Sequence, residues 1–275
     1  MFLLYSKKKS TVFYACICNI ISLNKLIETL KLAKSKYGFR VQLDLWARGI
    51  EDPSNPYSGD HIEEVDNRIT DDWNKLLSNP ETAFWMGRTV DIFNVISEPT
   101  LNIQGQNHPS FFDPVLRDTG ELIRNRINNP NAIIGYSAGR WCWAGDADEL
   151  LGHNRSELDP EITINIHPSR LDFISEDTRS DPRKCAKELQ QEGFNISVGE
   201  FGWRDWNLNR EYVEDALRYF EEHKISYAVV GAIGGYAYMP SRGPDDGELF
   251  MDYYGQVLSP YGEYLKNFWS KLGDK

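Results

Sequence analysis

Apolar positions recur along this chain at two spacings, and the two spacings take turns. After Ser22, residues Leu23, Leu26, Ile27, Leu30, Ala33 and Tyr37 return at three- and four-residue steps. That spacing predicts a helix, with Ser22 as its N-cap and Gly38 as its stop. "FRVQLDLW" (39–46) reads as a buried strand, and after a Pro/Ser/Gly-rich loop "HIEEVDNRITDDWNKLLS" reads as a helix. No element is predicted between that helix and the strand that opens "DIFNVISEPT" (91–100) and carries Glu98 at its tip. "DPVLRDTGELIRNRI" is predicted helical and "NAIIGYS" (131–137) a strand.

The alternation runs on to the end. "EITINIH" (161–167) is a predicted strand, and "SDPRKCAKELQQEG" a helix capped by Asp181 with Pro182 at its first position. "NISVGEFG" (195–202) is a strand. In the helix "REYVEDALRYFEEH", Tyr212, Val213, Ala216, Leu217 and Phe220 share a face. "ISYAVVGAIGG" is the last predicted strand. "YGEYLKNFWSKL" closes the chain with a stripe at Tyr261, Leu265, Phe268, Trp269 and Leu272. Strands alternating with helices imply a parallel sheet covered by helices.

Two parallel architectures compete for this pattern. An open, doubly wound sheet would carry a Gly-rich phosphate turn, and no G-x-G-x-x-G or P-loop follows a first strand. A closed (β/α)8 barrel places its chemistry at the C-terminal ends of many strands. Polar residues stand at those ends here: Asp44 with Trp46, Glu98, Tyr136 with Ser137, His167 and Glu200. The expectation is therefore an α/β fold of the TIM-barrel type, one domain over residues 1–275. Six strands are counted from Phe39 onward. "TVFYACI" (11–17) supplies a seventh, and an eighth would have to come from "MFLLY", so residues 1–20 read as atypical or truncated first units.

Composition narrows the partners. The net charge is −11, and no dense Lys/Arg face is visible, which argues against nucleic acid. No apolar run reaches the length of a membrane span. The opening "KKKSTVFYACICNIIS" reads either as a signal-like basic and apolar run without a small-residue cleavage site, or as a first buried strand. Compartment stays open. The cysteines at 16, 18, 142 and 185 have no metal-ligand spacing beyond Cys16-x-Cys18, which has no His/Cys partner group nearby, and suggest no disulfide scaffold. No metal or other cofactor is expected, and a monomer is. The 8 Trp and 14 Tyr supply core packing or flat surfaces on which a ligand can stack.

Glu98 ends one strand, with Pro99 fixing the exit, and Glu200 ends another. In a parallel barrel both ends open on one mouth. Two carboxyls across a pocket are the minimum set for glycoside hydrolysis, one protonating the leaving oxygen and the other attacking the anomeric carbon or activating water. The same pair could hold a divalent cation, although such sites recruit further Asp or His from other strand tips, and Asp44 lies short of its own strand's tip.

These segments together resemble glycoside hydrolase family 5, the cellulases and mannanases, from about Leu23 to the C-terminus. "LAKSKYGFRVQLDLW" is similar to the family's helix end and following Leu-Asp-Leu-His strand. "DIFNVISEP" is similar to its acid/base strand, "INIHPS" to its His-x-Tyr strand end, and "VGEFG" to its nucleophile strand. The resemblance implies Glu98 as acid/base, Glu200 as nucleophile and His167 as an active-site histidine near the substrate. It also marks departures. Ser97 stands where the family has Asn, Trp46 where it has His and Ser169 where it has Tyr. Gly231 or Ala232 falls where it has Trp, and its second-strand Arg has no clear counterpart.

Trp141 and Trp203, together with Trp46, are the candidate sugar-stacking residues. The expected function is a retaining hydrolase of a β-linked polysaccharide such as a β-1,4-glucan or mannan. The alternative is a catalytically impaired, carbohydrate-binding barrel of the same ancestry.

Overall fold

The computed structural model describes residues 12–17, 23–36, 40–46, 62–97, 112–137, 162–166, 182–201, 210–229 and 260–273. Seven strands lie among them: β1 (Val12–Ile17), β2 (Arg40–Trp46), β3 (Ile92–Ser97), β4 (Ile133–Ser137), β5 (Ile162–Ile166), β6 (Asn195–Phe201) and β7 (Ser226–Val229). All adjacent strands pair in parallel, and their order in the sheet is their order in the chain. A doubly wound sheet would reverse that order at a switch point; no reversal occurs among these strands. The outer strands β1 and β7 approach within 8 Å between Cα atoms, so the sheet curls round on itself. "MFLLY", the suggested source of an eighth strand, lies outside the described residues.

The helices are α1 (Leu23–Ser35), α2 (Ile62–Leu77), α3 (Pro80–Thr89), α4 (Phe112–Ile127), α5 (Pro182–Gln191), α6 (Arg210–Glu222) and α7 (Pro260–Gly273). Among the described residues, none is long and apolar enough to cross a membrane. Much of each apolar stripe read from the sequence is buried, while Leu23, Leu26, Tyr212, Phe268 and Trp269 are partly buried against the core. Ile27, Leu30 and Ala33 of α1, Val213, Ala216, Leu217 and Phe220 of α6, and Tyr261 and Leu265 of α7 are all buried. Pro182 opens α5, where its missing N–H costs nothing. Ser22, Gly38 and Asp181, the expected caps and stop, lie outside the described residues.

Helix α3 was not visible in the periodicity. Its buried residues are Thr82, Ala83, Met86 and Thr89, only half of them apolar, while Phe84 is largely exposed. The signal for it was at its start. Asn79 caps the helix, its side-chain oxygen accepting from the backbone N–H of Glu81 (2.9 Å) and Thr82 (3.2 Å), and Pro80 takes the first position.

The sheet has two differently built faces. Val41, Leu43 and Leu45 of β2, Phe93 and Val95 of β3, Ile134 and Tyr136 of β4, and Ile196 and Val198 of β6 join the helices in one apolar cluster. The alternate positions form the inner face, where Gln42, Asp44, Asn94 and Ser197 are buried.

Asp91 sets where β3 begins. Its N–H donates to the carbonyl of Val41 (2.8 Å) and its carboxylate accepts from the N–H of Val41 (2.8 Å). Lys34 of α1 reaches the same carboxylate at 2.6 Å.

At the far side, Tyr227 of β7 donates to the Glu221 carboxylate (2.7 Å) and accepts from the Trp269 indole (2.8 Å), tying β7 to α6 and α7. Burial, and then the negative charge of Glu221, push the Tyr227 phenol well above its ordinary value. The folded state therefore holds this proton where the unfolded state has released it. The resulting stability is complete below about pH 10, the unfolded tyrosine's pKa, and is lost as pH rises beyond it. In urea titrations at a series of alkaline pH values, Tyr227→Phe should lose less stability above about pH 10 than the unmodified protein does. An unchanged alkaline slope would contradict this.

Candidate active site

Polar residues gather on the inner face in the middle of β2 and β3. The Gln42 side-chain amide donates to both carboxylate oxygens of Asp44, at 3.1 and 3.4 Å. The two residues share a face because strand side chains alternate. Asp44 is in register with Asn94 of β3, and Asn94 with Gly135 of β4. Asn94 fills the place that a side chain at 135 would need: a Cβ on Gly135 would stand 3.0 Å from both the Cα and Oδ1 of Asn94.

Just beyond this row, the pairing slips. Asp44 opposes Asn94, but Trp46 opposes Ser97, so β3 carries one residue more than β2 over this interval. The slip changes the meaning of the strand's alternation. Counting by twos from Val95, which belongs to the helix-facing cluster, Ser97 would share that face. Pairing with Trp46 breaks that count at Ser97.

A second slip lies in β6. Val198 opposes Tyr227 and Phe201 opposes Val229. Gly199 and Glu200 therefore stand together against the single residue Ala228. Period-two counting from Val198 would have given Glu200 the helix-facing register; the extra residue interrupts that count. Extra residues of this kind re-aim side chains and are common beside functional sites. Among the described ladders, register slips at these two places.

The widened end of β3 is held from outside by α2. The indole N–H of Trp73 donates to the carbonyl of Val95 at 2.8 Å. Its ring also meets Phe93 edge-on, with centroids 6.1 Å apart. Trp73, Asn94 and Gly135 were not singled out from the sequence. Their roles depend on contacts between elements, which one segment's own pattern does not contain.

Of the candidate site residues, the structure brings Trp46 and Ser97 together as partners at the ends of β2 and β3. It puts Glu200 next to the last residue of β6. Glu98, His167, Trp141 and Trp203 lie outside the described residues, as does Ser169. In sequence, Glu98 directly follows the end of β3 and His167 the end of β5.

Solved structures share this fold. A β-glucanase of Saccharophagus degradans in complex with cellotetraose aligns over 91% of this chain and 72% of its own, at TM-score 0.63 and 14% identity. An endoglucanase of Pseudomonas stutzeri aligns over 94% and 80%, at TM-score 0.62 and 16% identity. The catalytic domain of a mannanase from Streptomyces sp. SirexAA-E aligns over 92% and 74%, at TM-score 0.59 and 14% identity. The chain thus has a fold like that of the family 5 cellulases and mannanases its motifs resemble. No family model and no curated protein sequence matches it.

Gly135→Ala should destabilise the fold by about 1–3 kcal/mol, because the added methyl meets a backbone Cα that cannot rotate away. Urea unfolding measures this. A change within about 0.5 kcal/mol, the range of ordinary surface substitutions, would mean that Asn94 is not wedged against β4.

Proposed function

We propose that this protein is a retaining glycoside hydrolase acting on a β-linked polysaccharide of the glucan or mannan class. The sheet in this reading closes as a TIM-type barrel, supported by the approach of β1 to β7. The observation that carries the proposal is the pair of register slips at the C-terminal ends of β3 and β6. They fall beside the two glutamates that the motifs single out, in a fold shared with β-glucanases and a mannanase.

The chemistry assigned to the pair is double displacement. The Glu200 carboxylate attacks the anomeric carbon as protonated Glu98 gives its proton to the departing glycosidic oxygen, so one C–O bond forms while another breaks. Glu98, now ionised, takes a proton from water. That water attacks the same carbon and releases Glu200, with net retention. For Glu98 to arrive protonated near neutral pH, its environment must raise its pKa, and the negative charge of Glu200 acts in that direction. His167, Ser97, Trp46, Trp141 and Trp203 are assigned to substrate binding, the indoles by stacking on the apolar faces of sugar rings. The working form is proposed to be a monomer that takes an oligo- or polysaccharide and needs no metal.

Reducing-sugar release from a panel of β-glucans and mannans tests the proposal. The unmodified protein should release sugar from at least one of them, and Glu200→Gln should abolish release while the fold persists. No release from any glycan would leave the carbohydrate-binding, catalytically impaired barrel as the reading. Full activity in Glu200→Gln would refute the nucleophile's assignment.

Ser97 is the departure closest to the chemistry. The amide of the family's Asn at this position reaches further than a hydroxyl does. Ser97→Asn should therefore raise kcat/KM, by up to the order of 10²-fold if the restored donor is well placed in the transition state. Unchanged or lower kcat/KM with the fold intact would show that Ser97 is not a truncated form of that contact.

A further inference from the structure

We propose that Trp73 of α2 is a positioning residue, which holds the widened end of β3 and so sets where that strand delivers Ser97 and Glu98. The proposal rests on the glycosidase reading only for what the strand end does; the holding itself is a property of the fold.

Three observations converge on it. First, the Trp73 indole donates to the carbonyl of Val95, the residue next after the last regular pair of Asn94 with Asp44. An extra residue disrupts the ladder locally, and a buried carbonyl that loses its donor is costly. The indole supplies one N–H at that point. Second, the same ring packs on Phe93, two residues earlier on the same face. One rigid side chain thus touches β3 at successive helix-facing positions, immediately before the slip and at it.

Third, α2 is itself fixed on both sides of Trp73. The Thr70 hydroxyl lies 3.0 Å from that of Thr119 in α4, and Asn74 accepts from Arg126 of α4 at 2.6 Å. The donor is therefore presented from a braced helix rather than from a mobile loop.

The choice of side chain is informative. Packing alone would be served by Phe or Leu, and an apolar contact does not distinguish a strand with the extra residue from one without it. Indole is a donor only, so it selects an arrangement in which a carbonyl faces the helix layer at Val95. On the inner side, Asn94 is wedged against Gly135. Between the two contacts the backbone has little freedom to slide by one residue. Such a slide would exchange the faces of every later side chain.

Trp73→Phe keeps most of the ring and removes the donor. As a second variant, the benzothienyl analogue of tryptophan at position 73 keeps the full shape and replaces only the N–H, so folding is preserved. Hydrogen exchange followed by mass spectrometry should show the peptide covering Val95–Ser97 exchanging about tenfold faster in either variant, with α6 and α7 unchanged. On a hydrolysed glycan, kcat should fall on the order of 10–100-fold with KM nearly unchanged.

Exchange that rises evenly across the molecule would overturn the proposal, as would an unaltered β3 peptide. A kcat equal to that of the unmodified protein on a hydrolysed glycan would do the same. If the unmodified protein cleaves no glycan, the glycosidase reading fails by itself, and the exchange pattern still decides whether Trp73 holds the strand.

Discussion

A carboxyl group cannot be used from the middle of a buried parallel strand. Removal from water without a partner costs it several kcal/mol, and both faces of such a sheet are covered. Useful acids must therefore stand where the strands end, and they must face the mouth rather than the helices. Strict alternation decides the second condition, and the wrong parity cannot be repaired by rotating a side chain. In this protein both strands that lead to the candidate glutamates depart from alternation at their last residues. The extra residue is the physical element on which the rest of the proposed site depends.

Such a departure has to be stabilised from both sides. At β3 the helix side contributes the Trp73 hydrogen bond to Val95 and its ring contact with Phe93. The inner side contributes the row Asp44, Asn94 and Gly135, in which the missing Cβ of a glycine makes room for an amide. The beginning of β3 is fixed separately, through Asp91 bonded to both backbone groups of Val41 and to Lys34. The strand is thus pinned at its start and at the point where its register changes. Its C-terminal end projects from a fixed frame.

Much of this frame was legible in the sequence. The stripes of α1, α6 and α7 and all seven strands follow from apolar spacing, since burial alone dictates them. The count of seven strands, with "TVFYACI" as the first, agrees with the described sheet that begins at β1. Helix α3 escaped because its buried face is half threonine; only Asn79 and Pro80 announced it. The register slips escaped for a different reason. An extra residue is a relation between two strands, and one strand's own pattern cannot contain it: "IFNVIS" reads the same with or without a partner one residue shorter. Trp73 could not be singled out for the same reason, because the carbonyl it serves belongs to another element. The four motifs carried the family likeness, which reappears as a shared fold at 14% to 16% identity.

The likeness in fold and the departures at Ser97 and Trp46 pull in different directions. A fold supports many activities, while a particular spacing of two carboxyls supports few. The separation of the Glu98 and Glu200 carboxyls in a crystal structure is the most direct measure of the account. A retaining pair should be about 5–5.5 Å apart across the mouth of the sheet. A separation well beyond the roughly 9.5 Å that even an inverting pair spans would contradict it.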